Sequence, residues 1–441
     1  MVLFAAVFAA ILAEAMYRLS PTYAALLVIA PVVLGVIVWR PLWGVYASLL
    51  AIPLESVGTS IASANVTPAK GLLVITALSI LPRLVLSSDR KLHATHVWFL
   101  LLLVVSISGL FFAPDTHAVL VITANAFAYL VISIFVSRLD KPDIERLLLV
   151  LVISGGIVGL VTIASSSVTA NAAAATSDAA RAELGFDSPN VLAFYLLLTL
   201  GPALALIAAS GDVWRRLVGL GATPLIVVAL VLTQSRTAIL GAVLVVFVLL
   251  GSSRFRRLAA ALAAVLVIVV AFNFGAILRS PQLGAVQQRL TAIDSVAGVS
   301  QDPRVLIWKT TPSIIAAHPW LGVGEGNFPV ISPSYGLYAF DLTPIDHAHD
   351  VFLTVAAELG LIGFAVFMAF LYTFVRATWR TLRRSGSSEL LFLGVAASFA
   401  GVLLSCLGDY PPRTPDILAV LLLMVGVVLA YERYARLRSA S

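Results

Sequence analysis

Charge is scarce in this sequence. Asp, Glu, Lys and Arg make up 11% of its 441 residues, whereas 60% are hydrophobic and the mean hydropathy is +1.03. A soluble chain carries roughly 25% charged residues, enough to cover a water-facing surface. So few charges exclude a cytosolic enzyme. Cysteine is nearly absent as well: a single residue, Cys406, excludes an intrachain disulfide. What fills the chain instead is a series of long apolar blocks, such as Val97–Ala113, Val191–Ala209 and Leu258–Phe274. A hydrocarbon core about 30 Å thick takes roughly 20 helical residues. The blocks predict an all-α polytopic membrane protein of about 12–14 transmembrane helices, with spans at roughly 2–17, 22–39, 42–56, 69–86, 96–113, 117–137, 146–165, 189–210, 217–233, 236–251, 256–275, 349–375, 389–408 and 415–432. Ala13-Glu14-Ala15 has the look of a cleavage site, but no basic segment precedes it, so the first block is expected to be a retained helix.

The basic residues orient the chain. Alternating the connections between two sides places nineteen of the 28 Lys and Arg residues on one side, in short runs such as Arg254–Arg257 and Arg376–Arg384. The positive-inside rule makes that side cytoplasmic, with both termini on it. The net charge of +6 is thereby explained by insertion, and no basic run is interleaved with aromatics as a nucleic-acid surface requires.

The division that follows is residues 1–275 as a helix bundle with an external segment at 165–189, residues 276–348 as a large extracytoplasmic loop with short helices, and residues 349–441 as the C-terminal helices. The long loop far exceeds an ordinary connection of a few residues and is the expected seat of function. No inverted internal repeat of the kind many transporters show is visible.

Polar residues on the external side are few. Asp346-His347-Ala348-His349-Asp350 precedes the block that starts near Val351. The helix dipole disfavours added positive charge on a histidine there, which suits His349 to act as a base. The aspartates can equally cap the helix, and two His with two Asp can hold Zn²⁺. Gly360 and Gly363 suggest close helix–helix approach, and Glu358, a carboxylate in an apolar helix, is either functional or paired. Arg181, Arg236 (after Gln234-Ser235) and Arg304 stand in polar motifs on the side that otherwise avoids arginine. Singly, each can snorkel to headgroups; together they point to a diphosphate, which planar guanidinium groups bind bidentately. The glycine-rich run His318–Phe328 lacks the lysine of a P-loop and is not read as a nucleotide site.

The order Arg289-Leu290-Thr291, Arg304 with Trp308, His318-Pro319-Trp320-Leu321-Gly322-Val323-Gly324, then His349-Asp350 and Glu358-Leu359-Gly360-Leu361-Ile362-Gly363 resembles the O-antigen ligase / O-antigen polymerase superfamily. Arg181 with Asn190, and Ser235-Arg236, resemble that family's other external motifs. The resemblance implies a membrane-embedded glycosyltransferase of the C type in a bacterial inner (cytoplasmic) membrane, with its active site on the extracytoplasmic, periplasmic face. Its donor would be an undecaprenyl-diphosphate-linked glycan, and its acceptor a lipid A core or a growing glycan, with membrane lipids around it. It implies no metal and no other cofactor, with inversion at the transferred sugar. It makes His349 catalytic and Arg181, Arg236 and Arg304 donor-binding, with His347, Asp350, Asn190, Gln234, Arg289 and Trp308 in support. Asp350 stands where the ligase motif has Asn, Ser or Gln, so ligase and polymerase both stay open. A secondary transporter or flippase would need charges at mid-bilayer on several helices, and only Glu358 qualifies.

Overall fold

The structure is a computed structural model. It describes residues 31–54, 59–61, 64–87, 91–170, 184, 186, 188–209, 211–257, 260, 303–339, 342–385 and 389–440. Arg181, Arg289 and the expected spans at 2–17 and 256–275 lie outside them, the latter but for its first residues.

The protein is an all-α polytopic membrane protein. After a helical segment at 31–39 come α1 (Pro41–Ala51), α2 (Pro68–Leu86), α3 (Ala94–Ser108), α4 (Thr116–Ser137), α5 (Lys141–Ala170) and α6 (Pro189–Ala209). They are followed by α7 (Val213–Leu232), α8 (Arg236–Leu249), α9 (Pro303–Ala317), α10 (Val351–Ser385), α11 (Leu390–Ser405) and α12 (Pro415–Ala440). A three-residue hairpin, β1 (Thr59–Ile61) against β2 (Ala64–Val66), leads into α2. Among the described residues, 8 helices are long and apolar enough to cross a membrane, and α1, α8 and α11 are shorter apolar helices.

The bundle is built around α6, whose side chains are almost all buried; a helix that is apolar on every face belongs in the interior. It packs against α7 and α11, while α12 packs against α4, and α10 against α3. The α6–α11 crossing is close because Gly201 faces Gly394; a Cβ on either would overlap the other's carbonyl. Large apolar side chains such as Phe111, Leu86 and Phe247 stay exposed on the outer helices, the surface a lipid phase requires.

Ion pairs gather at the two ends of the bundle. At one end lie Lys70–Asp416 (3.6 Å) and the His347 cluster described below. At the other lie Lys141–Glu389 (2.8 Å), Arg215–Glu145 (2.7 Å) and His93–Glu432 (3.0 Å). Each pair joins residues that the basic-residue pattern places on the same side. From Pro415 to Arg433 the helix α12 rises about 27 Å, close to the hydrocarbon thickness.

The expected glycine contact between helices takes a different form. Gly360 interrupts α10 with φ 67° and ψ −173°, a conformation open to glycine. The break frees backbone groups that an unbroken helix would pair internally. The loop His318–Gly324 takes them up: Val323 N and Gly324 N donate to the carbonyls of Ala357 and Glu358, at 3.0 and 2.9 Å. In return Leu361 N and Ile362 N donate to Pro319 O and Trp320 O, at 2.8 and 3.3 Å. A Cβ at Gly360 would overlap the Trp320 carbonyl. The glycine therefore admits a loop rather than another helix. Glu358 serves the same join, its Oε1 accepting from Phe328 N at 3.1 Å.

Candidate functional site

The segment Asp346–Asp350 is anchored from three sides. Trp308 on α9 donates its Nε1 hydrogen to Ala348 O (3.0 Å). Thr354 on α10 accepts from Ala348 N (3.2 Å), and Cys406 O, at the end of α11, accepts from Val351 N (3.1 Å). Asp350 caps α10, accepting from Leu353 N at 2.8 Å. His349 is held with φ 51°, left-handed for a non-glycine residue, a conformation costing on the order of 1–3 kcal/mol. Such a cost is met by the surrounding hydrogen bonds, and it aims the two imidazoles at one spot. Their ring centres are 4.3 Å apart.

What they face is Asp409, on the short connection between α11 and α12. Its Oδ1 accepts from His347 Nε2 at 2.9 Å and stands 3.5 Å from His349 Nδ1. Its Oδ2 accepts from Asn190 Nδ2, at the start of α6, at 2.7 Å. His347 Nδ1 meets Asp346 Oδ1 at 2.7 Å. A carboxylate only accepts, so a histidine between two carboxylates carries a proton on both nitrogens. Burial alone would lower the His347 pKa, but hydrogen bonds and attraction from Asp346 and Asp409 outweigh it and hold it up at about 9. Burial would likewise raise the two carboxyls. The histidines prevail, taking Asp346 down to about 2 and Asp409 well below the usual carboxylate range.

Asn190, Asp346, His347, His349, Asp409 and Arg413 line one cavity of about 340 Å³. Arg413 brings to it a guanidinium whose Nη1 is buried without a hydrogen-bond acceptor. A buried donor with no acceptor is costly, and an anion in the cavity would satisfy it. Tyr410 belongs both to this wall and to that of an apolar cleft running into the bundle between α3, α10, α11 and α12, lined by Phe99, Leu359, Phe370 and Leu422. Glu325, pushed up to about 7 by burial and by nearby Glu358, sits in the wall of that cleft.

The structure thus brings together His347, His349 and Asn190 among the residues singled out from sequence. Asp350 and Trp308 hold their backbone. Arg236 is exposed at the start of α8, and neither it nor Arg304 at the start of α9 is in the wall of the His349 cavity. Gln234 adopts φ 53° in the turn before α8. Asp409 and Arg413 were not foreseen as site residues, although Asp409-Tyr410-Pro411-Pro412-Arg413 places opposite charges in a short connection on the arginine-poor side. Asp346, His347 and His349 also present possible metal-ligand atoms within 4.8 Å of one another. A cation there would need His347 to give up a proton and one of its two carboxylate partners.

Residues 221–368 match the family described as O-Antigen ligase. This match, over 148 of the 441 residues, supports a relation to the O-antigen ligase/polymerase superfamily. The matched stretch contains the break in α10 at Gly360, the loop that fills the break, and both histidines. The superfamily is one of membrane glycosyltransferase-type enzymes of polysaccharide biosynthesis that handle lipid-linked glycans. No curated protein matches the chain. Among solved structures, a chain from "Structural coordination of polymerization and crosslinking by a peptidoglycan synthase complex" aligns with 77% of this chain and 97% of its own length. Identity is 16% and the TM-score 0.40, a likeness too slight to carry an argument.

Proposed function

We propose that this protein transfers a glycan from an undecaprenyl-diphosphate-linked donor to an acceptor hydroxyl on the extracytoplasmic face of a bacterial inner membrane. The observation that carries the reading is the junction at Tyr410, where a polar cavity holding an unsatisfied arginine meets an apolar cleft inside the bundle. A diphosphate on a polyprenyl tail has that same division. Its tail would lie in the cleft and its diphosphate against Arg413, with Arg181, Arg236 and Arg304 gathering the charge from the loops.

The acceptor oxygen attacks the anomeric carbon as the bond to the diphosphate oxygen breaks, with inversion. The hydroxyl proton passes to His349, and the bonding electron pair leaves on the diphosphate, where arginines stabilise it. The fixed carboxylate Asp409 positions His349, and the His347 imidazolium keeps Asp409 ionised. No metal is required in this scheme, because guanidinium groups neutralise the leaving group. Glu358, occupied in capping a turn, gives no support to a transporter.

The acceptor distinguishes a ligase, which would use a lipid A core, from a polymerase, which would extend the glycan itself. Purified protein supplied with lipid-diphosphate glycan and each acceptor, resolved by gel, tests both. A single shift of the lipid A core means ligase, and a ladder on the carrier means polymerase. No transfer to either would overturn the proposal.

A further inference from the structure

The end of the bundle opposite the histidines holds a second polar cavity, of about 550 Å³. Its described wall carries five cationic side chains, Lys91, Arg138, Arg380, Arg433 and Arg436, against one carboxylate, Glu432. That carboxylate is already engaged by His93 at 3.0 Å and Arg436 at 2.6 Å. Arg433 is fixed by the carbonyls of Arg138 (3.0 Å) and Leu139, and its Nε is buried without an acceptor. The concentration of positive charge in a concave site favours an anion.

The cavity does not end in protein. Leu92, His96, Ile134 and Arg138 also belong to the wall of an adjoining groove of about 360 Å³. That groove is apolar, with Leu84, Leu100, Phe127 and Leu130 along it, and runs up the outer faces of α2, α3 and α4. Leu100 and Phe127 are exposed there, at 37% and 41%, on helices that face lipid. A free phosphate would fill the basic cavity and leave the groove empty; a phospholipid matches both.

We propose that this is a binding site for an anionic phospholipid of the leaflet opposite the glycan-transfer site, with the phosphate among Arg138, Arg380 and Arg433 and an acyl chain in the groove. The basic-residue pattern makes that leaflet the cytoplasmic one. The site is about 27 Å along α12 from the histidine cavity, so it stands or falls independently of the transfer reaction.

Native mass spectrometry of the full-length protein in detergent, with dioleoyl phosphatidylglycerol or dioleoyl phosphatidylcholine added, reads the site directly. The anionic lipid should stay bound where the zwitterionic one is lost. Arg380→Gln should weaken its retention about fivefold, the effect of one basic residue at a membrane surface. Leu100→Trp, which fills the groove without altering charge, should weaken it as well. Both side chains are exposed, so both variants should keep the wild-type elution and thermal midpoint. Equal retention of the two lipids, or wild-type retention in both variants, would overturn the proposal. Displacement of the lipid by an equal concentration of glycerol phosphate would also overturn it, because the pocket would then take a free phosphate.

Discussion

Asp409 Oδ1 accepts a hydrogen bond from His347 Nε2 at 2.9 Å while standing 3.5 Å from His349 Nδ1. One carboxylate thereby joins a histidine saturated with partners to one that has room for a substrate proton. The two differ in what their loss should do. His347→Ala leaves the buried Asp409 facing a void, and breaking a buried pair in this way costs about 3–5 kcal/mol. Thermal unfolding in detergent should show a clear fall in midpoint. An unchanged midpoint would mean that the pair holds nothing together.

The pH dependence of stability follows from the same histidine. His347 is held up at about 9, against 6.5 for an ordinary histidine. A group whose pKa is raised on folding stabilises most when both states are protonated. Its contribution is therefore complete below about pH 6.5 and fades as the pH rises through about 9. Unfolding midpoints measured across that window should decline for the wild type. The decline should be absent or much reduced in His347→Gln.

Arg413 should govern donor binding. Hydrogen bonds to a charged partner contribute about 1.5–3 kcal/mol, so Arg413→Gln should raise the KM for lipid-diphosphate donor about tenfold or more. Arg413→Lys keeps the charge and loses the planar fork, and should recover only part of the effect. A KM unchanged in both variants would place the diphosphate elsewhere.

Gly360→Ala should destabilise the protein by about 1–3 kcal/mol through the backbone conformation alone. Overlap with the Trp320 carbonyl adds to that. Gly221→Ala, within regular helix α7 and with open space for a Cβ, should be milder. The comparison of their thermal midpoints tests whether the loop His318–Gly324 is seated by the break.

Much of this arrangement could be read from sequence because apolar length and Arg distribution are local properties. The spans near 69–86, 117–137, 189–210 and 415–432 reappear as α2, α4, α6 and α12 within a few residues. His349 and Asn190 stood out as polar residues bordering apolar blocks. Asp409 did not, because its meaning lies in partners 62 and 219 residues away, His347 and Asn190. Arg413 was legible as one external basic residue but not as a cavity wall, which only the fold of the connection between α11 and α12 creates. The pair Gly360 and Gly363 fits both a helix crossing and a helix break, and the choice rests on a loop nearly forty residues upstream that supplies the missing hydrogen bonds.

Chelation bears on the leaving group. Asp346, His347 and His349 offer ligand atoms to a cation, but in the proposed reaction the arginines neutralise the leaving group instead. Glycan transfer should survive EDTA. Loss of activity restored by Mg²⁺ or Mn²⁺ would replace the arginine account with a metal.

The central claim is that His349 takes the acceptor proton in this cavity. The direct measurement is the transfer rate from a lipid-diphosphate-linked glycan by purified His349→Ala beside the wild type, with the thermal midpoints of both recorded. General base catalysis contributes at least about 10²-fold, so the variant should lose that much or more while unfolding at the wild-type midpoint. Transfer within a few-fold of the wild type by a folded His349→Ala protein would contradict it.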